Sequence, residues 1–191
     1  MKIIITENQY ELLKEMEDKP KVYNFPSLNV FGNEKLIDNW NLLQSLLSKK
    51  INPICNIEGD LFLCDTPIKT LGKLTSVGGD IDLRNTPIES LDNLTSVGGN
   101  LDLYDTPIES LGELTSVGGY LDLNKTRIES LGNLTTVGGS LFLYDTPIES
   151  LGNLTSVGGN LELRRTSLSE KYTEEEIRSL VEVKGDIYIW K

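Results

Sequence analysis

The chain contains no histidine at all. That removes the commonest general base, the usual proton acceptor of a Ser or Cys nucleophile and the commonest transition-metal ligand. Cysteine is almost as scarce. Cys55 and Cys64 are the only two in 191 residues, with no CxxC pair and no metal-ligand spacing, so they read as plain thiols rather than a disulfide framework or zinc site. No run approaches the roughly 18 consecutive apolar residues that a membrane span needs. Met1 to Asp18 is acidic where a secretory signal would be basic and then apolar, so the expectation is a soluble, cytoplasmic protein with no membrane partner. Basic residues are outnumbered, 18 against 29 acidic ones, for a net charge of -11. A field of that sign repels phosphate backbones and argues against nucleic acid as a partner.

What the chain has in abundance is repetition. From Leu61 to Asn160 it divides into five twenty-residue copies without an insertion, and a sixth begins at Leu161 and fails after Leu168. Fixed periodicity of this length means a solenoid, in which each copy buries its apolar face against its neighbours. The shared pattern, seen from Val97 to Ser116, is V-G-G-x-L-x-L-x-x-T-P-I-x-S-L-x-x-L-T-S. Leu101 and Leu103 alternate with polar residues as a strand with one buried face requires, and stacking the copies makes a parallel sheet of short strands. Thr106-Pro107 turns the chain out of that strand, because proline presets its own backbone angle and restricts the residue before it. Ile108, Leu111, Leu114 and Val117 then point inward. The Gly-Gly pairs starting at 78, 98, 118, 138 and 158 are expected at corners, through either backbone angles or close approaches that a side chain would block. Thr66, Thr86, Thr106, Thr126, Thr146 and Thr166 recur after the strand, where a hydroxyl can bond the backbone of its own turn or of a neighbouring coil. These threonines, and the Thr-Ser pairs at 75-76, 95-96, 115-116 and 155-156, are structural rather than catalytic on this reading.

The segment L-x-L-x-x-T-x-I resembles the L-x-L-x-x-N-x-L strand of the leucine-rich-repeat superfamily, with Thr in the place of Asn. The Leu-Thr-Ser-Val-Gly-Gly corner is most similar to the receptor L domains and fungal cell-surface relatives of that superfamily. The resemblance covers about two thirds of the chain and implies a right-handed coil, with a parallel sheet on one side and short irregular or strand segments on the other. It is specific for fold and not for function. No flanking cysteine caps accompany the repeats, which argues against an extracellular receptor. The opening MKIIITENQYELL resembles the N-termini of proteins from large tailed phages; that resemblance implies a viral source and a host-cytoplasm location.

The fold class expected is therefore α/β, dominated by β: a single solenoid domain over 1–191, with a helical N-terminal cap over 1–56, repeats over 57–168 and a C-terminal cap over 169–191. At the N-terminal end, after a strand-like Lys2 to Ile5, Thr6 and Gln9 form a capping box for a helix running to about Glu17. Asn33 caps a second helix carrying Leu36, Ile37, Trp40, Leu43, Leu46 and Leu47. Leu28 to Asn33 fits L-x-L-x-x-N and predicts an early irregular coil beginning near Ser27. At the other end Thr173 and Glu176 open a helix to about Val181, and Val183 to Ile189 repeats the strand signature, giving a last coil with a helical return path.

The outward strand positions form columns at roughly 4.8 Å per coil. One runs Phe62, Asp82, Asp102, Asp122, Phe142, Glu162 and Tyr188; its neighbour runs Cys64, Arg84, Tyr104, Asn124, Tyr144, Arg164 and Trp190, with Asp80, Asn100 and Tyr120 alongside. Between Glu58 and Leu168 there are 16 acidic and 7 basic residues, a balance of -9. Like charges directly opposite on neighbouring strands cost up to about 1 kcal/mol, so three stacked aspartates call for salt, a cation or a cationic partner. The plain alternative is a solvated sheet face. Calcium fits least well, since three ligands on a flat sheet are too few for a tight cage. No metal site and no cofactor is predicted. The predicted partner-binding residues are Phe62, Asp82, Arg84, Asp102, Tyr104, Tyr120, Asp122, Phe142 and Tyr144, facing a protein with a basic surface, because aromatics and arginine typify interface anchors. A second ridge of Glu89, Glu109, Glu129 and Glu149, preceded by Lys69, reads as a solvated edge that discourages lateral association.

No catalytic residue is predicted. Enzymatic work would fall on carboxylates alone, as in glycoside hydrolases, yet duplicated aspartates sit in duplicated environments, whereas an acid and base pair needs two different ones. Each V-G-G precedes a strand and is not a phosphate cradle between strand and helix. The function expected is a non-enzymatic protein-interaction scaffold. A structural or small-ligand-sequestering repeat protein is the alternative, and a carbohydrate-active enzyme comes third.

Overall fold

A computed structural model describes residues 22–25, 28–29 and 54–189. The helices expected over Thr6 to Glu17 and from Asn33 onward, the column member Trp190, and Val30 to Asn33 of the early coil lie outside the described residues. Among the described residues, sixteen short strands alternate between two parallel sheets. The first sheet holds β1 (Val22–Phe25), β3 (Ile54–Ile57), β5 (Leu74–Val77), β7 (Ser96–Val97), β9 (Ser116–Val117), β11 (Thr136–Val137), β13 (Ser156–Val157) and β15 (Glu182–Val183). The second holds β2 (Leu28–Asn29), β4 (Leu61–Phe62), β6 (Ile81–Asp82), β8 (Leu101–Asp102), β10 (Leu121–Asp122), β12 (Leu141–Phe142), β14 (Leu161–Glu162) and β16 (Ile187–Tyr188). The chain is thus a β-solenoid of stacked coils. Leu28 pairs with Leu61, which places a strand of the early coil next to the position expected for its start.

The sequence pattern foresees one parallel sheet with irregular or strand segments elsewhere; the structure makes the Thr-Ser-Val segments a second sheet of equal strand number. In the two-residue strands of this sheet only one side chain is fully inward, Val97 for instance, so the alternation is too short to read from sequence. In the second sheet Leu61, Ile81, Leu101, Leu121, Leu141, Leu161 and Ile187 lie opposite one another in unbroken register. Together with Leu103, Ile108, Leu111, Leu114, Val117 and their counterparts they form one continuous buried core. Each buried Leu, Ile or Val contributes about 1.5–3 kcal/mol relative to an exposed one, so the aliphatic ladder is the main favourable term in folding.

Close approach, not a special backbone angle, is what the Gly-Gly corners need. A Cβ on Gly98 would collide with the Gly78 carbonyl oxygen, and one on Gly118 with that of Gly98. The left-handed conformation occurs elsewhere, at Asp65, Asn85, Asp105, Lys125, Asp145 and Arg165, with φ between 56° and 59°. Each sits just before the recurring threonine and reverses the chain after the second-sheet strand. Asp and Asn tolerate that region better than Lys or Arg, whose presence at 125 and 165 hides the signal. The threonine hydroxyls serve their own turns. Thr106 Oγ1 donates to the Leu103 carbonyl at 2.8 Å, and its backbone N–H donates to the same oxygen at 3.2 Å.

The second threonine column links neighbouring coils instead. Thr115 Oγ1 donates to the Thr95 carbonyl at 3.0 Å and Thr135 Oγ1 to that of Thr115 at 2.8 Å. In the last coil two helices, α1 (Ser167–Lys171) and α2 (Glu174–Leu180), occupy the path between β14 and β15. Thr173 and Glu176 form the expected capping box; a second one, Thr166 with Ser169, opens α1, which the sequence pattern does not reveal. Arg178 then ties α2 to the final turn, donating to the carbonyls of Val183 and Gly185 at 2.8 and 3.0 Å.

Candidate functional site

The outward side chains of the second sheet form the candidate site. Register places Asp82 opposite Asp102 and Asp102 opposite Asp122, with Phe62 before them and Phe142, Glu162 and Tyr188 after. All nine residues predicted to bind a partner therefore stand on or beside one strand face. They do not share one environment. Arg84 grips Asp82 with two prongs, Nε to Oδ1 at 2.9 Å and Nη2 to Oδ2 at 2.6 Å, and its Nε lies 3.4 Å from Asp102 Oδ2. Burial works against the Asp82 carboxylate, but the hydrogen bonds and charge of Arg84 together outweigh it and hold the group below its ordinary value.

One coil on, the balance reverses. Asp102 is pushed up by burial and by the charge of Asp82, against the Tyr104 backbone N–H and the more distant Arg84. Asp122 is pushed up further, to about 6, by burial and then by Asp102, opposed by the Asn124 backbone N–H that donates to it at 2.9 Å. Burial and then the surrounding aspartates, Asp102 first, also raise the Tyr120 hydroxyl. The middle of the face thus carries carboxylates short of compensating cations.

Aromatic rings border this acidic stretch. Tyr120 meets Phe142 edge to face at 6.2 Å between centroids. Tyr104 accepts a 2.7 Å hydrogen bond from Lys125 Nζ, which also stands 5.1 Å from its ring centre. Further along, Arg164 holds the buried Glu162 and lies 5.9 Å from the ring of Tyr144 and 5.8 Å from that of Tyr188; Arg165 stands 5.5 Å from Tyr144. The face is acidic toward its first coils and cationic and aromatic toward its last.

Asp80 and Asn100, expected beside this face, carry out a structural task at the corner. Asp80 Oδ1 accepts from Asn100 N at 2.7 Å, and Asn100 Oδ1 from Tyr120 N at 2.9 Å, continuing a side-chain ladder that starts with Asp60 Oδ1 and Asp80 N. Glu89, Glu109, Glu129 and Glu149 are exposed along their ridge. Burial raises the Cys55 thiol to about 11 and also raises that of Cys64, helped by the Asp82 charge, so neither is a ready nucleophile. Among the described residues no group of three or more His, Cys, Asp or Glu side chains is placed to hold a metal ion, and no helix is long and apolar enough to cross a membrane.

Sequence reasoning missed a groove on the first sheet. It has a volume of about 550 Å³ and runs over five coils, lined by Ser76, Ser96, Ser116, Thr136, Ser156 and the first glycine of each corner, and reaches Lys184. Serine and glycine carry no chemical signature of their own, and only the recurrence of small residues at one repeat position could have pointed to it. No protein family, curated protein or solved structure matches the chain.

Proposed function

We propose that the protein is a non-enzymatic interaction scaffold that binds a basic segment of another protein through the outward face of the second sheet. The coils nearly repeat one another, and differ most on this face. Positions that pack inward stay Leu, Ile or Val, and the first-sheet face stays Ser, Thr and Gly, while outward positions of the second sheet differ from coil to coil among Asp, Phe, Arg, Tyr, Asn and Glu. That contrast carries the reading. Diversity greatest on one sheet face, with only scattered changes in the turns such as Asp92 and Asn93, belongs to recognition, since packing would accept the same residue in every coil. The finer assignment to a right-handed leucine-rich-repeat-like coil with helical caps, and to a tailed-phage source, is part of this proposal and rests on the sequence resemblances.

The test is affinity capture with wild type, with Asp102→Lys plus Tyr104→Ala, and with Ser116→Lys on the first sheet. Partners retained by wild type and by Ser116→Lys but lost from the double variant are the expected result; the same captured set from all three refutes the assignment to this face. The groove on the first sheet supports a second reading, a repeat protein that sequesters a small ligand. A ligand at 100 times its Kd would stabilise the fold by about 2.7 kcal/mol, so thermal melting across ions, nucleotides and glycans separates the two.

A further inference from the structure

Building on the second-sheet face as a docking surface, we propose that the Asp102–Asp122 step is a receptor for the guanidinium group of an arginine on the partner. Four acids occupy the outward column: Asp82, Asp102, Asp122 and Glu162. Two are followed, two residues later, by an arginine that returns to its own coil's carboxylate with two prongs. Arg84 takes Asp82 in this way and leans on Asp102 in the next coil; Arg164 takes Glu162 and nests by the rings of Tyr144 and Tyr188. The other two acids have Tyr104 and Asn124 at the arginine's position, and neither side chain supplies a cation to its carboxylate.

The fold therefore twice constructs a guanidinium mount for its own arginines; of the three coils between, those of Asp102 and Asp122 present the carboxylate with no arginine of their own, Asp102 being reached only by Arg84 Nε at 3.4 Å. Asp122 Oδ1 accepts the Asn124 N–H, whereas Asp122 Oδ2 has no hydrogen-bond partner among the described residues; the equivalent Oδ2 of Asp82 takes Arg84 Nη2 at 2.6 Å. Arginine suits the place better than lysine. Its planar fork matches a carboxylate two donors at a time and spans to the neighbouring acid one strand away, as Arg84 does, and its flat face stacks on rings, as Arg164 does by Tyr144 and Tyr188. The half-buried Asp122 ionises around pH 6, so above that value it is a carboxylate short of a cation and gains most from an incoming one.

The experiment is an NMR titration of the 15N-labelled full chain at pH 7.5 with acetyl-arginine amide, acetyl-lysine amide and acetyl-citrulline amide. Saturable shifts are expected at the amides of Tyr104, Asn124 and Tyr120, with the arginine probe at least about threefold tighter than the lysine probe and no response to citrulline. Tyr104→Arg, which gives Asp102 an internal guanidinium as Arg84 gives one to Asp82, should weaken the arginine probe at least about threefold. The isosteric Asp122→Asn should do the same, and serves should Tyr104→Arg not fold. Equal affinity for arginine and lysine, a citrulline response of the same size, shifts centred on other residues, or indifference to both variants overturns the guanidinium receptor. None of those results alters the capture comparison, so the docking face stands or falls separately.

Discussion

The raised Asp122 carboxyl has a consequence for stability that can be measured without knowing any partner. Its pKa is raised from 3.8 to about 6 in the folded chain, so the native state binds a proton more tightly than the unfolded chain does. The native state therefore holds the excess proton between pH 4 and 6, and stability falls as pH rises through that window. At 1.36 kcal/mol per tenfold change in acidity, the elevation sets an upper bound of about 3 kcal/mol on what the ionised carboxylate costs at pH 8. The group is partly solvated, and screening reduces the figure to about 1–2 kcal/mol. Asp122→Asn keeps the shape, and keeps an oxygen to accept the Asn124 N–H, while removing the charge. Urea unfolding of wild type and variant at pH 3.5, pH 5 and pH 8 should show the variant about 1–2 kcal/mol more stable at pH 8, about half that at pH 5 and nearly equal at pH 3.5. A variant less stable than wild type at pH 8, or a gain of the same size at all three pH values, refutes the reasoning from burial and like charge.

Other outcomes follow from the packing. Gly118→Ala should abolish or severely weaken folding, because the new Cβ meets the Gly98 carbonyl, whereas Gly132→Ala has open space around it and pays mainly for its φ of +55°, about 1 kcal/mol by urea unfolding. Leu103→Ala, at a fully buried position of the aliphatic ladder, should cost about 2–5 kcal/mol in the same assay. Arg164→Ala leaves the buried Glu162 without its cation and should cost about 1–3 kcal/mol at pH 7 by urea unfolding, whereas Arg164→Lys should recover part of the loss.

The ladder of Leu61, Ile81, Leu101 and their successors could be read from sequence because a strictly constant spacing leaves one register in which apolar residues meet. The same spacing placed Asp82, Asp102 and Asp122 in one column before any coordinates. Chemistry within the column was less legible. That Arg84 serves Asp82 while Asp122 lacks a cation depends on which way a side chain folds back from its strand, and spacing says nothing of that. The first sheet is foreseen only as irregular or strand segments because Ser96 and Val97 offer one inward residue per strand. Asp92 is a further case, since it stands where other coils have a left-handed glycine. It adopts φ of 53°, and its carboxylate accepts the Leu71 and Gly72 N–H groups at 3.0 Å, a role with no sequence signature.

Because every corner glycine, inward leucine and turn threonine recurs at the same offset, any twenty-residue span within Leu61 to Asn160 can be excised or duplicated and still leave each strand beside an equivalent neighbour. The length of the outward sheet face then changes in increments of about 4.8 Å per unit, with no new turn to invent. Such an array behaves as an adjustable ruler: its length, and the number of carboxylates it displays, can be retuned independently of how it folds.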